Sequence, residues 1–171
     1  MALAIAGVMG PGEDAGATDL ANAFELGRLL AQEGWVVLSG GRDAGVMREV
    51  NRGAKGAGGL TVGILPSAAA QAAPDVDVLI VTEMHNARNN INVLSSRVVI
   101  ACGEGGPGTV SEIALALKAG KPVILLGVGD PARAFYERLA RTDLFCASTP
   151  SEAVSLAGRY GPAAACGSSV K

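Results

Sequence analysis

A chain of 171 residues with 49% hydrophobic and 18% charged side chains can bury one sizeable core, which excludes a disordered segment. A formal net charge of −2, with acids and bases interspersed, excludes a basic nucleic-acid surface, and no apolar run reaches the ~18 residues of a membrane span. Cys102, Cys146 and Cys166 are odd in number and widely spaced, so neither a disulfide framework nor a zinc site is expected; with no leader-like start, the expected setting is cytoplasmic.

Residues 2–8 form a short apolar run, taken as the first strand, and Met9-Gly10-Pro11-Gly12 follows it. Thr18 opens a helix in which Leu20, Ala23, Phe24, Gly27, Leu30 and Ala31 recur at 3.6-residue spacing on one face, and Gly34 ends it. Residues 35–38 read as the second strand, running into Ser39-Gly40-Gly41-Arg42, with a helix over 45–57 stopped by Gly58-Gly59. The third strand covers 60–65, a loop or short turn covers 68–74, and Asp75 and Asp77 mark a turn into a fourth strand over 76–82. A helix over 87–96 precedes the fifth strand at 98–101. A glycine loop, a helix over 110–119 and a sixth strand at 122–126 come next. A helix over 131–141 and a last one opened by the capping box Thr149-Pro150-Ser151-Glu152 complete the pattern.

The strands are continuous apolar runs, as in parallel strands covered on both faces, and they alternate with helices. This predicts an α/β fold: a single-domain, Rossmann-like, doubly wound and mostly parallel sheet with helices on both faces. The expected domain spans residues 1–160, and 161–171 reads as a mobile tail.

In such a sheet ligands bind beyond the carboxyl ends of the strands. Three glycine loops fall there: Gly10-Pro11-Gly12, Gly40-Gly41-Arg42 and Gly105-Gly106-Pro107-Gly108-Thr109. Each leads into a helix whose first amides carry partial positive charge, so together they predict a site for a small anionic molecule. The first loop lacks the spacing G-x-G-x-x-G, since Ala15 stands where the third glycine would fall, no acid sits at the end of the second strand to bind a ribose, and G-x-x-x-x-G-K-[ST] does not occur, which disfavours dinucleotide and nucleotide-triphosphate readings. Arg42 reads either as a fork onto the anion or as a solvated loop residue. Arg88, a cation in a helix's first turn, is mildly mismatched to the helix dipole and so points to a ligand. His85 is the only histidine and reads as a loop residue; no metal ligands are expected. Cys102 is expected to be a buried apolar side chain. Thr109-Val110-Ser111-Glu112 fits a capping box, which accounts for Glu112 as a helix cap rather than a catalyst.

With these residues in place, the chain resembles the Lonely Guy and DprA-like Rossmann superfamily. The motif P-G-G-x-G-T-x-x-E of that group falls on residues 104–112, with Glu104 in place of the proline, and Asn89 stands where a lysine usually follows the arginine. The resemblance implies, as one reading, a phosphoribohydrolase that cleaves the N-glycosidic bond of a nucleoside 5′-monophosphate with Glu112 and Arg88. The chain resembles the molybdenum cofactor carrier proteins more closely. The shared runs are G-V-M-G-P-G at 7–12, G-G-R-x-x-G-V-M at 40–47, A-R-x-N-I-N at 87–92, and G-P-G-T with the following helix at 106–118. That resemblance implies a non-enzymatic carrier of the molybdenum cofactor, a pterin phosphate whose own dithiolene holds the metal. It implies a homo-oligomer, a tetramer in the carriers, with a molybdoenzyme as recipient. It places Gly45 and Met47 among the cofactor-binding residues, beside Arg88 and the three loops. The helices beginning at Thr18 and Gly45 offer apolar faces for subunit contacts.

Overall fold

The computed structural model describes residues 3–141 and 143–161. The chain runs β1 (Ile5–Met9), α1 (Ala17–Gln32), β2 (Val36–Ser39), α2 (Gly45–Gly56), β3 (Thr61–Leu65), β4 (Val78–Val81), α3 (Arg88–Ser95), β5 (Val98–Cys102), α4 (Pro107–Lys118), β6 (Val123–Leu126), α5 (Asp130–Leu139), β7 (Leu144–Ala147) and α6 (Pro150–Ala157). One-turn 3-10 segments, His85–Ala87 and Gly158–Tyr160, precede α3 and follow α6.

Every strand pair is parallel, in the order β4-β3-β2-β1-β5-β6-β7. From β1 the chain steps outward to β4, then crosses back to β5 and builds the other half. The order therefore reverses between β1 and β5, and a crevice opens there at the carboxyl ends. One apolar layer joins α1, α2 and α6 to the sheet through Leu26, Leu30, Trp35, Val50, Ile100 and Val154. The other face is closed by α3, α4 and α5 through Leu38, Val93, Ile113, Leu117, Leu125 and Tyr136. The doubly wound parallel sheet is as the apolar runs predict.

Four expectations are corrected. The strand β7 was not predicted: Leu144–Ala147 is a four-residue apolar run shortly after α5, and it pairs with β6 as an edge strand. Nor are all strands covered on both faces. Val78, Leu79, Ile80 and Val81 of β4 are each 43–46% exposed, on an edge strand that no described helix covers. The apolar faces that α1 and α2 offered for subunit contacts pack largely on each other within the chain. A Cβ on Gly27 would meet the Val50 carbonyl carbon at 2.9 Å, and one on Gly53 would meet that of Phe24 at the same distance, so the two helices touch backbone to backbone. Finally, α1 starts one residue before Thr18, capped by Gly16, whose amide donates to Asp19 Oδ2 at 3.2 Å.

The last capping box holds in half. Thr149 Oγ1 accepts from the Glu152 amide at 3.2 Å, but Glu152 Oε2 accepts from Ser148 N at 2.8 Å instead of from Thr149. Asp77 does mark the entry to β4, accepting from the amide of Thr61 at 3.0 Å and pairing with Lys55. Of the tail at 161–171 only Gly161 is among the described residues, and Cys166 lies outside them.

Candidate functional site

The loops after β1, β2, β5 and β6 surround a cavity of about 710 Å³ at the topological switch. Its wall includes Gly10, Pro11, Gly12, Gly40, Arg42, Met47, Arg88, Gly105, Gly106, Pro107, Gly108, Thr109 and Glu112, all singled out from the sequence.

Gly41 and Gly45 do not reach that wall, and both have backbone reasons to be glycine. Gly41 has φ +72, its amide donates to Ser39 Oγ at 3.1 Å, and a Cβ would lie 2.8 Å from Gly63 Cα on the next strand. Gly45 has φ +47 and abuts the carbonyls of Pro11 and Gly12, so it lets the first loop settle on the start of α2. The Val46 amide then fastens that loop by donating to Pro11 O at 3.0 Å. These two glycines shape the site from behind.

At the third loop, α4 begins earlier than expected. Gly106 is the N-cap and Pro107 the first helical residue, so Thr109 sits inside the first turn. The amides of Gly108 and Thr109 have no acceptor among the described residues, and both residues line the cavity. Glu104 also lines the cavity, but its carboxylate reaches across to the start of α5, where Oε1 accepts from Gly129 N at 2.9 Å.

This helix start overturns the capping-box reading of Glu112. Glu112 lies in the second turn of α4, only 7% exposed, and Asn92 Nδ2 of α3 donates to its Oε1 at 2.8 Å. Burial pushes the Glu112 carboxyl above its ordinary value, against the opposing pull of the Asn92 hydrogen bond and the Arg88 charge. Asn92 Oδ1 is itself buried without a partner among the described residues. A second tie joins the helices: Asn89 Nδ2 donates to Ser111 Oγ at 2.8 Å, and that hydroxyl donates to Gly108 O at 2.7 Å. The position that departs from the usual lysine is thus part of what holds α4 in place.

Arg88, at the first turn of α3, carries a half-buried guanidinium with no hydrogen bond or ion pair among the described residues. Gly40 makes room for it: a Cβ there would collide with the guanidinium and approach Met47 Sδ to 2.7 Å. Burial pulls the Arg88 pKa down, Glu112 raises it and Arg42 lowers it; Arg88 and Glu112 both line the cavity, and no ion pair joins them among the described residues. Arg42 instead pairs with Glu13 at 2.9 Å on the rim. His85 does not line the cavity; it is exposed, with φ +46.

Sequence reasoning missed Asp14, Asp19, Asn86, Asn89, Gly127 and Gly129 as wall residues. Gly127 and Gly129 carry the same signal as the other loops, glycines just past a strand. The acids carry no such signal; Asp19 reaches the cavity because Gly103 lacks a Cβ, which would lie 2.6 Å from Asp19 Oδ1. Cys102 is fully buried as expected, and burial pushes its thiol up to about 12. Cys146 is exposed and free. Among the described residues no three His, Cys, Asp or Glu side chains gather as a metal site, and no helix is long and apolar enough to cross a membrane.

Comparison with known proteins gives this geometry a family. The model of the SLOG cluster4 family matches residues 3–154, and the chain belongs to that family. The molybdenum cofactor binding protein of Rippkaea orientalis is 53% identical with a TM-score of 0.88, over 93% of this chain and 98% of that one. The molybdenum cofactor carrier protein of Chlamydomonas reinhardtii is 44% identical with a TM-score of 0.88 over the same shares. The cytokinin riboside 5′-monophosphate phosphoribohydrolase of Mycobacterium tuberculosis is 33% identical over 132 residues, 70% of each chain. The resemblance to the cofactor carriers, made from the glycine and arginine runs, is borne out.

Proposed function

We propose, from membership of the SLOG cluster4 family and from the cavity, that this chain binds, protects and delivers the molybdenum cofactor. One observation carries the reading. A half-buried Arg88 guanidinium and the Gly108 and Thr109 amides, all without a partner among the described residues, belong to the wall of one cavity of a size suited to a small molecule. Amides at a helix start are what a terminal phosphate needs, and a free guanidinium suits an acceptor elsewhere on the same ligand. The cargo holds its metal through its own dithiolene, so the chain needs no ligand set for it. Similarity to the carriers at 44–53% identity supports the same reading.

In this account Gly10, Pro11, Gly12, Gly40, Met47, Gly105, Gly106 and Pro107 shape the pocket around the anionic groups. Arg42 leaves Glu13 to close over the ligand, and Gly41 and Gly45 act through the loops that they fold. The carrier works in the cytoplasm as a homo-oligomer, a tetramer, and hands its cargo to a molybdoenzyme. The bare apolar edge of β4 supports self-association, which sedimentation velocity measures. Delivery is tested by mixing the loaded protein with a cofactor-free molybdoenzyme: activity should appear at a rate set by carrier concentration. No activation from a loaded carrier would reject delivery.

A second reading has one specific observation in its favour. Glu112 is no cap, and it faces Arg88, as a phosphoribohydrolase acting through these two residues requires. It predicts free base from a nucleoside 5′-monophosphate, lost in a folded Glu112→Gln protein; no base from any nucleotide would reject it.

A further inference from the structure

Glu112 and Arg88 pose a question that an anion site leaves unanswered. A cavity built only for a phosphate gains nothing from a buried carboxylate beside its cation, because the carboxylate repels the ligand. Yet Glu112 stands in the wall, over nine-tenths buried, with Oε1 held by Asn92 and Oε2 without a partner among the described residues. Arg88 lines the same cavity, near enough for its charge to act on Glu112, and it has no hydrogen bond or ion pair among the described residues. The pair offers the cavity an acceptor on α4 and a set of donors on α3. A ligand part that meets both must offer an acceptor to Arg88 and donors to Glu112.

We infer that Arg88 and Glu112 together read the edge of a 2-amino-4-oxopyrimidine ring, with Arg88 donating to the ring carbonyl and Glu112 accepting from the ring N–H and the amino group. The inference rests on the carrier reading for the phosphate, which goes to the Gly108 and Thr109 amides. This edge presents acceptor, donor, donor in a row, and it occurs in both pterins and guanine. Hypoxanthine lacks the amino donor. Adenine presents a donor and then an acceptor, so it meets Arg88 and Glu112 with the wrong group at each. Glu112 is thus a specificity residue: buried sites that hydrogen-bond a polar group reject the analogue lacking it far more strongly than apolar sites do.

The test uses guanosine, inosine and adenosine 5′-monophosphates, each titrated by calorimetry into the wild-type protein and Glu112→Gln, with circular dichroism to confirm folding. Molybdenum cofactor retention is measured on the same two proteins. We expect guanosine monophosphate to bind about tenfold more tightly than inosine monophosphate, with adenosine monophosphate weakest and the ranking lost in Glu112→Gln. A ranking without cofactor retention supports the edge reading with guanine as its source and removes the carrier function. Weaker cofactor retention in folded Glu112→Gln, with no nucleotide bound, supports it with a pterin as source. Equal nucleotide affinities together with cofactor retention unchanged in Glu112→Gln would overturn the inference while leaving the carrier function standing.

Discussion

Asn92 Nδ2 on α3 donates a 2.8 Å hydrogen bond to Glu112 Oε1 on α4, and this tie holds a buried carboxylate against the cavity wall. The stability of the chain is therefore coupled to its site. The folded state raises the Glu112 pKa, so it binds this proton more tightly than the unfolded chain does. Its contribution to stability is fully present below the unfolded pKa and is lost as pH rises through the raised folded value. Glu112→Gln removes the buried charge and keeps an acceptor for Asn92. We predict that at neutral pH the variant melts a few degrees above wild type, with the gap closing toward acidic pH. The carboxylates of Asp14, Asp19 and Glu104 and the cations of Arg42 and Arg88 are common to both proteins, so the difference isolates Glu112. A wild-type protein that melts higher at neutral pH would count against a penalised buried charge.

Gly108→Asp places a carboxylate beside the amides assigned to the phosphate. Gly108 has open space around its Cβ position, and an acid in the first turn suits the helix dipole. The variant should fold with unchanged or slightly raised Tm and bind no cofactor. Wild-type affinity in the folded variant would take the α4 amides out of the site.

Two glycine-to-alanine changes separate site from scaffold. A Cβ on Gly40 meets the far ends of Arg88 and Met47, which can move aside. Gly40→Ala should displace the guanidinium and weaken cofactor binding about tenfold, with little change in Tm. A Cβ on Gly27 meets Val50 backbone, which cannot move without parting α1 from α2. Gly27→Ala should cost roughly 1–3 kcal/mol in urea unfolding, with binding by the folded fraction intact. If Gly40→Ala destabilises as much as Gly27→Ala, Gly40 belongs to the scaffold rather than the site.

Replacing the Arg88 cation with a shorter, neutral amide tests its contact with the ligand. Arg88→Gln removes a charge-assisted contact while keeping a polar side chain beside Gly40. Affinity for the cofactor should fall tenfold or more, and its dependence on salt should flatten. An unchanged salt dependence would show that Arg88 makes no charged contact with the ligand.

Much of this architecture is legible in the sequence because the apolar runs of β1, β2, β5 and β6 and the glycines after them report buried parallel strands and tight turns. What the sequence does not report is pairing that is distant along the chain. Thr109-Val110-Ser111-Glu112 matches a cap by spacing, but Pro107 starts the helix one turn sooner and moves Glu112 inward, where Asn92 meets it. Gly41 and Gly45 look like Gly40, and only the neighbouring strand and loop distinguish a spacing glycine from a wall glycine. Asp19 enters the cavity through the missing Cβ of Gly103, a contact across more than eighty residues. The β7 strand escapes notice because four residues, three of them partly or fully exposed and one of those a cysteine, carry too little periodicity to mark an edge.

The central claim is tested most directly by equilibrium ultrafiltration of the purified protein with molybdenum cofactor, with and without excess adenosine monophosphate. Molybdenum and pterin are quantified together in the retained fraction. The carrier account predicts retention of both in equal proportion, with little displacement by the nucleotide. No retention, or displacement accompanied by free adenine in the filtrate, would contradict it and make Arg88 and Glu112 catalytic.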